Sequence, residues 1–199
     1  KSGYVRSLAY SPDSKQLAAA HYQRTSLLEV SSGKITGQLK GQRGRLTGVA
    51  YSPDGKLLAS VGNDHLVKLW SMADGKPVRT MSGHQHHVYN VAFHPDGHRL
   101  VSGDLKCHLF EWETATGKAG RRLQAKSLYK YDGGFKADIG GIRAIDFSDD
   151  GKQLAVGGIT NVTNAFACVG NPSVVIFDWK TGKETAKHLA KAKPRAVAW

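Results

Sequence analysis

Cysteine and long apolar runs are scarce in this sequence of 199 residues. The two cysteines, Cys107 and Cys168, are too few for a small fold held together by disulfides. No apolar run approaches the ~18 residues that a membrane-spanning helix needs. No basic segment followed by an apolar segment opens the chain, so no signal peptide is visible and no compartment is predicted.

Glycine and positive charge, in contrast, are abundant. The 23 glycines lack the periodicity of collagen, so they indicate many turns and favour a β-rich fold. Lys and Arg number 28 against 16 Asp and Glu, which gives a formal net charge of +12. A balance this basic is compatible with anionic partners, but by itself it bears on solubility and non-specific binding rather than on fold.

A turn motif recurs along the chain at nearly regular spacing. The motif is an apolar strand end followed by Ser-Pro-Asp-Gly or a variant of it. It occurs at residues 8–15, 49–56, 91–98 and 145–152. A Gly-Lys turn follows each copy in step, at residues 33–34, 75–76, 117–118 and 182–183. Pro presets φ, Asp accepts backbone N–H groups and Gly permits positive φ, so both motifs are physically suited to turns.

Each repeat is predicted to form four short strands. In the second repeat the first strand ends at Tyr51, and the others cover residues 57–61, 67–70 and 77–81. No stretch shows a sustained helical period of about 3.6 residues. Short strands separated by turns every ~8–12 residues indicate an all-β array of four-stranded units.

These residues resemble the WD-repeat family of β-propellers. The resemblance covers nearly all of the chain and rests on the two turn motifs, the strands ending at Trp70 and Trp112, and the Gly83-His84 pair. It implies an all-β propeller segment over residues 1–199, with four-stranded antiparallel blades at about 3–40, 41–82, 83–125 and 140–190 and the start of a fifth at 194–199. Because rings of this family usually hold about seven or eight blades, the resemblance implies a partial ring cut from a longer parent.

The family buries a Trp, a Ser or Thr, a His and an Asp of each blade in one hydrogen-bond network. In this sequence Gln42 stands at the His position of the second repeat, and Lys106 stands at the Asp position of the third. We therefore expect incomplete networks and individually soft blades. The same residue types could also form a catalytic triad, but buried polar groups between strands account for them without one. The predicted network residues are Ser60, Asp64, Trp70, His84, Ser102 and Trp112.

Other chemical sites have little support in the sequence. His86 and His87 are adjacent, but no convergent set of zinc ligands accompanies them, so no metal is predicted. No phosphate loop or dinucleotide motif appears, so no cofactor is predicted either. Cys107 and Cys168 fall in equivalent loops of neighbouring blades, where a disulfide and two free thiols are both compatible with the sequence.

A propeller presents two faces. We call loop face the one that carries the connections from the fourth strand of a blade to the next blade and from the second strand to the third. We call turn face the one that carries the Ser-Pro-Asp-Gly and Gly-Lys turns. Relative to the other repeats, about 12 extra residues lie around 126–140 and 11 around 160–173, both on the loop face beside the fourth blade. Insertions that cluster on one face of a repeat protein are often its binding elaboration.

The candidate binding residues lie on the loop face. The resemblance to the WD-repeat family implies that one position of each first strand rings the mouth of the central channel, and these positions hold Arg6, Thr47, Tyr89, Arg143 and Arg195. The insertions add Lys130, Tyr131, Phe135 and Asn161, of which Asn161 also begins a glycosylation sequon that matters only in a secreted chain. Aromatic and cationic side chains are typical of interface centres. The alternatives are that the insertions pack only on each other and that the rim residues simply point into solvent.

The sequence thus predicts a non-enzymatic scaffold that binds another protein, one carrying acidic or phosphorylated groups, through the loop face. The alternative is a regulatory or sensing module fused to a catalytic or cytochrome domain. A third possibility is an enzyme using the channel mouth, which the basic character of the mouth disfavours. Nucleic acid is not favoured, because seven of the 28 cations are turn lysines on the other face and no nucleic-acid motif is present.

A partial ring would expose apolar blade faces at its two ends, so the isolated chain is expected to dimerise or aggregate. Sedimentation of the purified chain over a range of concentrations measures this. A soluble monomer with cooperative unfolding would instead indicate a self-contained small propeller.

Overall fold

The structure, a computed structural model, describes residues 4–134, 136–164 and 169–189. Among these residues the only helical segment is a single 3₁₀ turn at Lys126–Leu128, and no helix is long and apolar enough to cross a membrane. The strands are β1 (Ser7–Tyr10), β2 (Gln16–Ala20), β3 (Tyr22–Glu29), β4 (Ile35–Tyr51), β5 (Leu57–Gly62), β6 (Leu66–Ser71), β7 (Pro77–Ser82), β8 (Val88–Phe93), β9 (Arg99–Asp104), β10 (His108–Glu113), β11 (Ala119–Gln124), β12 (Tyr129–Asp132), β13 (Ala137–Gly140), β14 (Ala144–Phe147), β15 (Gln153–Asn164), β16 (Val169–Asp178) and β17 (Glu184–Leu189).

The strands pair in chain order, and each pairing is antiparallel. β4 is long enough to serve two units, since its first part pairs with β3 and its last part with β5, so β1 to β7 form one continuous sheet. We call the four-stranded units blade 1 (β1–β3 and residues 35–45), blade 2 (residues 46–51 and β5–β7), blade 3 (β8–β11) and blade 4 (β14–β17). β12 and β13 form a separate hairpin between blades 3 and 4. The predicted all-β fold of four-stranded antiparallel units is confirmed.

The core lies between consecutive blades. Leu58 of β5 joins a buried cluster with Leu39 of blade 1, whereas its neighbour Ala59 joins a cluster with Leu100 of blade 3. Alternate residues of one strand therefore face opposite neighbours, and both faces of the strand are covered. This explains why the middle strands are continuously apolar rather than alternating.

Blade 1 has one apolar face that the described residues leave open. Ala9 packs against the buried cluster shared with blade 2, but Leu8 and Tyr10 are 59% and 61% exposed. Successive residues of a strand point to opposite faces, so Leu8 and Tyr10 lie on the side of β1 away from blade 2. The self-association predicted above would bury this surface.

Blade 3 holds a complete buried hydrogen-bond network. Trp112 Nε1 donates to Ser102 Oγ at 2.8 Å, Ser102 Oγ lies 2.7 Å from His84 Nε2, and His84 Nδ1 lies 2.9 Å from Asp104 Oδ2. The expectation of an incomplete network in this blade is wrong. The carboxylate comes from Asp104 at the end of β9 and not from position 106, because the side chain enters from the strand rather than from the turn that follows it.

Blade 2 builds the equivalent network with glutamine. Trp70 Nε1 donates to Ser60 Oγ at 2.8 Å, Ser60 Oγ donates to Gln42 Oε1 at 2.5 Å, and Gln42 Nε2 donates to Asp64 Oδ1 at 3.2 Å. The amide oxygen takes the place of an imidazole acceptor nitrogen, and the amide N–H takes the place of an imidazole N–H. The chain thus satisfies its buried polar groups here without a histidine, and the blade is not left with orphaned groups.

A neutral imidazole satisfies the hydrogen-bonding groups of the blade 3 network. Asp104 accepts at both carboxylate oxygens, so His84 Nδ1 donates to it, and in the neutral ring Nε2 then accepts the Ser102 hydroxyl proton. Burial lowers the pKa of His84 below its ordinary value of 6.5, against the opposing influence of Asp104. Burial alone would raise the pKa of Asp104, but hydrogen bonds from His84 and from the backbone N–H of His108 lower it overall.

The pH dependence of stability tests this network. Because the folded pKa of His84 is depressed, the network's contribution is present above about pH 6.5 and declines as the pH falls below it. His84→Gln, which copies blade 2, is expected to keep the stability of the parent near pH 7 and to lose less of it on acidification. His84→Ala should cost about 1–3 kcal/mol near pH 7 and less at lower pH, because it removes one buried partner from Ser102 and one from Asp104.

Denaturant unfolding between about pH 7 and pH 5 measures both effects. Gln42→His is the matched control and should make the acid sensitivity steeper. An unchanged pH slope in His84→Gln would contradict the assignment.

Candidate functional site

One cavity gathers most of the residues predicted to ring the channel mouth. Its volume is about 610 Å³, and its lining includes Arg6, Thr47, Tyr89 and Arg143, together with Tyr4, Val5 and Ile159. The remaining predicted rim residue, Arg195, lies outside the described residues. The four residues converge because each occupies the same position, at or just before the first strand of its blade.

Arg143 and Tyr89 form one unit in the wall of this rim cavity. The Arg143 guanidinium carbon lies 4.4 Å from the centre of the Tyr89 ring, and Nη2 donates to the Gly140 carbonyl at 3.1 Å. The backbone carbonyl of Arg143 accepts from Asn90 Nδ2 at 2.9 Å. Arg143 is nevertheless exposed. A stacked guanidinium held in this way loses less side-chain freedom on binding a carboxylate or phosphate than a free one.

Thr47 has a structural task at the same rim. Its hydroxyl lies within hydrogen-bond distance of the Val88 carbonyl and 3.2 Å from the Val61 carbonyl. It therefore ties blade 2 to the first strand of blade 3. This leaves Arg6, Tyr89 and Arg143 as the polar side chains of the predicted rim that can meet a ligand, beside Tyr4, which is 90% exposed.

Gly141 lets the Tyr89 ring approach the backbone. Its φ is +99°, and a Cβ there would lie 2.8 Å from Tyr89 Cε2. Four residues of the site, Gly141, Tyr4, Val5 and Ile159, were not predicted from the sequence. The Gly140-Gly141 pair was the one available signal for Gly141, and Tyr4 and Val5 adjoin the predicted Arg6.

The longer insertion forms structured elements that pack on β15. The longer one contains the 3₁₀ turn and the β12–β13 hairpin, and the shorter one lengthens the β15–β16 hairpin. The 3₁₀ turn, β12 and β13 all contact β15. Leu128 is fully buried and lies against Gly158, where a Cβ would stand 3.2 Å from Leu128 Cδ1. The longer insertion therefore packs on β15, the strand from which the shorter insertion extends.

The hairpin still offers exposed side chains. Lys130 is exposed and Tyr131 is 55% exposed, and neither lines the rim cavity. Phe135 and the side chain of Asn161 lie outside the described residues. The structure therefore brings Arg6, Tyr89 and Arg143 together but does not place Lys130 and Tyr131 among them.

A hydrogen bond between Tyr129 and Asp138 fixes the hairpin and makes the Tyr129 phenol less acidic. Tyr129 Oη donates to Asp138 Oδ1 at 2.7 Å, and this bond raises the pKa of Tyr129 to about 12. Lys106 Nζ lies 3.6 Å from the same carboxylate. Asp138 is thus held between a phenol and an ammonium group.

Cys107 is a buried free thiol. Its Sγ donates to the Leu128 carbonyl at 3.2 Å, and burial raises its pKa to about 12. A thiol in this state is a poor nucleophile. Cys168, the other half of the disulfide that sequence analysis left open, lies outside the described residues. Across residues 4–134, 136–164 and 169–189, no three His, Cys, Asp or Glu side chains are placed to hold a metal ion.

Stacked four-stranded antiparallel sheets that share cores and converge on one cavity define a β-propeller. Residues 33–71 and 75–113 match the family model "WD domain, G-beta repeat". Two of the repeats of this β-propeller fold are therefore WD repeats, as the turn motifs predict.

Known proteins match parts of the chain in sequence, and a solved structure matches most of the chain in fold. It is 34% identical over 73 residues to the WD repeat-containing protein slr1409 of Synechocystis sp., a match that covers 37% of this chain and 22% of that protein. It is 36% identical over 67 residues to the Intraflagellar transport protein 122 homolog of Xenopus tropicalis, covering 34% of this chain and 6% of that protein. The fold is similar to Kuenenia stuttgartiensis hydrazine synthase, with a TM-score of 0.76 and 18% identity over 93% of this chain and 49% of that chain. The chain thus spans less than half the length of each of these proteins.

Gly141→Ala tests how the rim is built. The positive φ and the contact with Tyr89 should together cost about 1–3 kcal/mol in unfolding free energy. The substitution should also displace the Tyr89 ring and weaken its stacking with Arg143, which the environment of the Tyr89 ring in NMR spectra would report. Gly133→Ala, at a glycine whose Cβ would meet nothing within 4 Å, is the matched control and should be nearly neutral. Equal effects of the two substitutions would contradict this account of the rim.

Proposed function

We propose that this propeller is a non-enzymatic scaffold that binds another protein through its loop face. The observation that carries the proposal is the rim cavity, where two arginines and two tyrosines line one concave surface. WD-repeat proteins generally act as interaction scaffolds, and the curated relatives with similarity are WD-repeat or transport proteins by name. Concave sites with a few convergent polar groups are the usual form of a binding site.

The chemistry of the cavity favours an acidic or phosphorylated partner. Arginine can hold a carboxylate or phosphate with two parallel N–H···O bonds, which lysine cannot do. Tyrosine adds contact area at a low cost in side-chain entropy. No carboxylate side chain is among the lining residues of the cavity. An anionic group entering the cavity therefore meets cations and phenols rather than like charge.

The buried network of blade 3 supports a non-enzymatic function. His84, Ser102 and Asp104 have the connectivity of a catalytic triad, with 2.7 Å between His and Ser and 2.9 Å between His and Asp. Ser102 is 0% exposed, and its oxygen already accepts the indole N–H of Trp112. A nucleophile must reach its substrate. A serine enclosed between two blades cannot do so, and the geometry serves the packing of the sheet instead.

A module within a larger enzyme is the second candidate. One of the solved structures with a similar fold is named for an enzyme, Kuenenia stuttgartiensis hydrazine synthase, and the match covers 49% of that chain. If this chain belongs to such a protein, the loop face would dock on a catalytic domain of the same polypeptide. The complete open reading frame decides between the two: a haem-attachment or kinase motif in it would favour the second candidate.

Binding measurements on point variants test the first candidate. Arg143→Ala should weaken binding of a phosphorylated or glutamate-rich peptide by about 1–2 kcal/mol, roughly 5- to 30-fold, because it removes the stacked guanidinium. Tyr131→Ala should have a comparable effect if the partner extends over the hairpin. Fluorescence anisotropy with labelled phosphoserine, phosphotyrosine and glutamate peptides, beside their neutral counterparts, measures the affinities.

Charge reversal at Lys56 or Lys76 on the turn face is the control and should leave affinity nearly unchanged. Sensitivity at these two lysines, combined with indifference at Arg143, would overturn the placement. Equal affinity for neutral and anionic peptides would overturn the proposed chemistry.

A further inference from the structure

Three lysines of the turn face each stand beside a carboxylate. Lys56, Lys76 and Lys152 each follow an aspartate by two residues and lie 3.8, 3.6 and 3.0 Å from its carboxylate. Hydrogen bonds from the turn backbone and from a neighbouring hydroxyl lower the pKa of Asp150 to about 2, so it stays charged. These three of the seven turn lysines are therefore balanced where they stand. Because the formal net charge of the chain is +12, these pairs leave an excess of positive charge on other residues.

One concentration of that charge lies on the hairpin formed by β3 and β4. In the strand register Arg24 stands directly opposite Lys40, and Tyr22 stands opposite Arg45. Arg43 lies in the stretch between them, where the register shifts. All five side chains are exposed. We call this group the basic edge, and none of its residues lines the rim cavity.

The cations of the basic edge have no acidic partner among the described residues. No ion pair to Arg24, Lys40, Arg43 or Arg45 occurs there. The nearby Asp64 is engaged by Gln42 Nε2 and by the backbone N–H of Arg43. Directly opposed like charges on neighbouring strands destabilise a sheet. The Arg24–Lys40 pair therefore works against the hairpin unless something anionic lies across it.

The local backbone shows that this arrangement is built into the fold. The register shift uses Gly41 and Gly44, whose φ angles are +121° and +85°. Asp64 accepts the Arg43 N–H at 3.1 Å, and Lys68 Nζ donates to the Gly41 carbonyl at 2.5 Å. Asp64, in the turn before β6, and Lys68, in β6, thus hold the stretch between Lys40 and Arg45 in place.

We propose that the basic edge is a second docking surface, which takes an extended acidic segment of a partner protein. The two cross-strand pairs are two residues apart along β3, which corresponds to about 6–7 Å. Alternate side chains of an extended peptide have the same spacing, so carboxylates at every second position can meet the cations in turn. Tyr22 is the one aromatic side chain of the edge, whereas single-stranded nucleic acid is usually held by several stacking aromatics.

The double variant Arg24→Gln/Lys40→Gln tests the inference. The probe is a labelled peptide of alternating glutamate and serine. Its affinity for the full chain should fall by about 3- to 10-fold in the variant, since exposed ion pairs are individually weak. The salt dependence of binding should fall as well. Lys15→Gln/Lys34→Gln, on the turn face of the same blade, is the matched control and should leave both quantities unchanged.

Stability separates a docking role from a structural one. Removing opposed like charges should leave the denaturant midpoint of Arg24→Gln/Lys40→Gln equal to or above that of the parent. Arg24→Glu should raise the midpoint, by creating a cross-strand ion pair with Lys40, and should still weaken peptide binding. A loss of stability in both variants would assign the residues to folding and overturn the proposal.

Two further results would also overturn the proposal. One is unchanged peptide affinity in the double variant. The other is tighter binding of an oligothymidylate than of the acidic peptide, lost in the same variant, which would make the ligand a nucleic acid. The same peptide can also bind the rim cavity, so it is titrated against Arg143→Ala with and without Arg24→Gln/Lys40→Gln. A further loss of affinity in the combined variant belongs to the basic edge, whereas a loss already complete in Arg143→Ala would overturn the proposal for the basic edge and leave the rim proposal standing.

Discussion

The stacking of one sheet on the next is the constraint on which the rest of this structure depends. A four-stranded sheet with two apolar faces cannot bury both of them alone. In β5 the consecutive residues Leu58 and Ala59 belong to different cores, each shared with a different neighbouring blade. The relative placement of blades therefore follows from side-chain packing, and the loop-face residues are positioned by that packing.

The buried polar networks work within this constraint. Each connects the indole N–H of a tryptophan on the third strand to a serine on the second strand and then to a side chain from the connection between blades. Because that connection reaches the loop face, the network fixes the loop face from inside. Histidine and glutamine both serve in the connecting position, since each offers one acceptor and one N–H donor at similar separation. The connecting position of the network therefore requires one acceptor and one N–H donor in that order, and it does not require an imidazole.

The two faces of the propeller use charge differently. On the turn face, lysines stand beside aspartates that are themselves held by turn hydrogen bonds, for example Lys152 beside Asp150. On the loop face, Arg143 is stacked on Tyr89, and the Arg24–Lys40 pair is left without a carboxylate among the described residues. The unpaired Arg24 and Lys40 on the loop face contrast with the paired Lys56, Lys76 and Lys152 on the turn face. In the proposed function, this contrast favours the approach of an anionic partner to the loop face.

Local chemistry in the sequence determined a large part of this protein. The turns were predictable because Pro, Asp and Gly have specific backbone preferences, and their repetition defined the strands and the class of fold. The rim positions Arg6, Tyr89 and Arg143 were predictable because equivalent positions of a repeat converge on one axis. Tertiary structure alone decided that Asp104 rather than residue 106 completes the network of blade 3, and that Gly141 accommodates the Tyr89 ring. It also decided that Arg24 stands opposite Lys40, because the register shift between β3 and β4 sets that pairing. These features depend on contacts between residues far apart in the chain, and no local preference encodes such contacts.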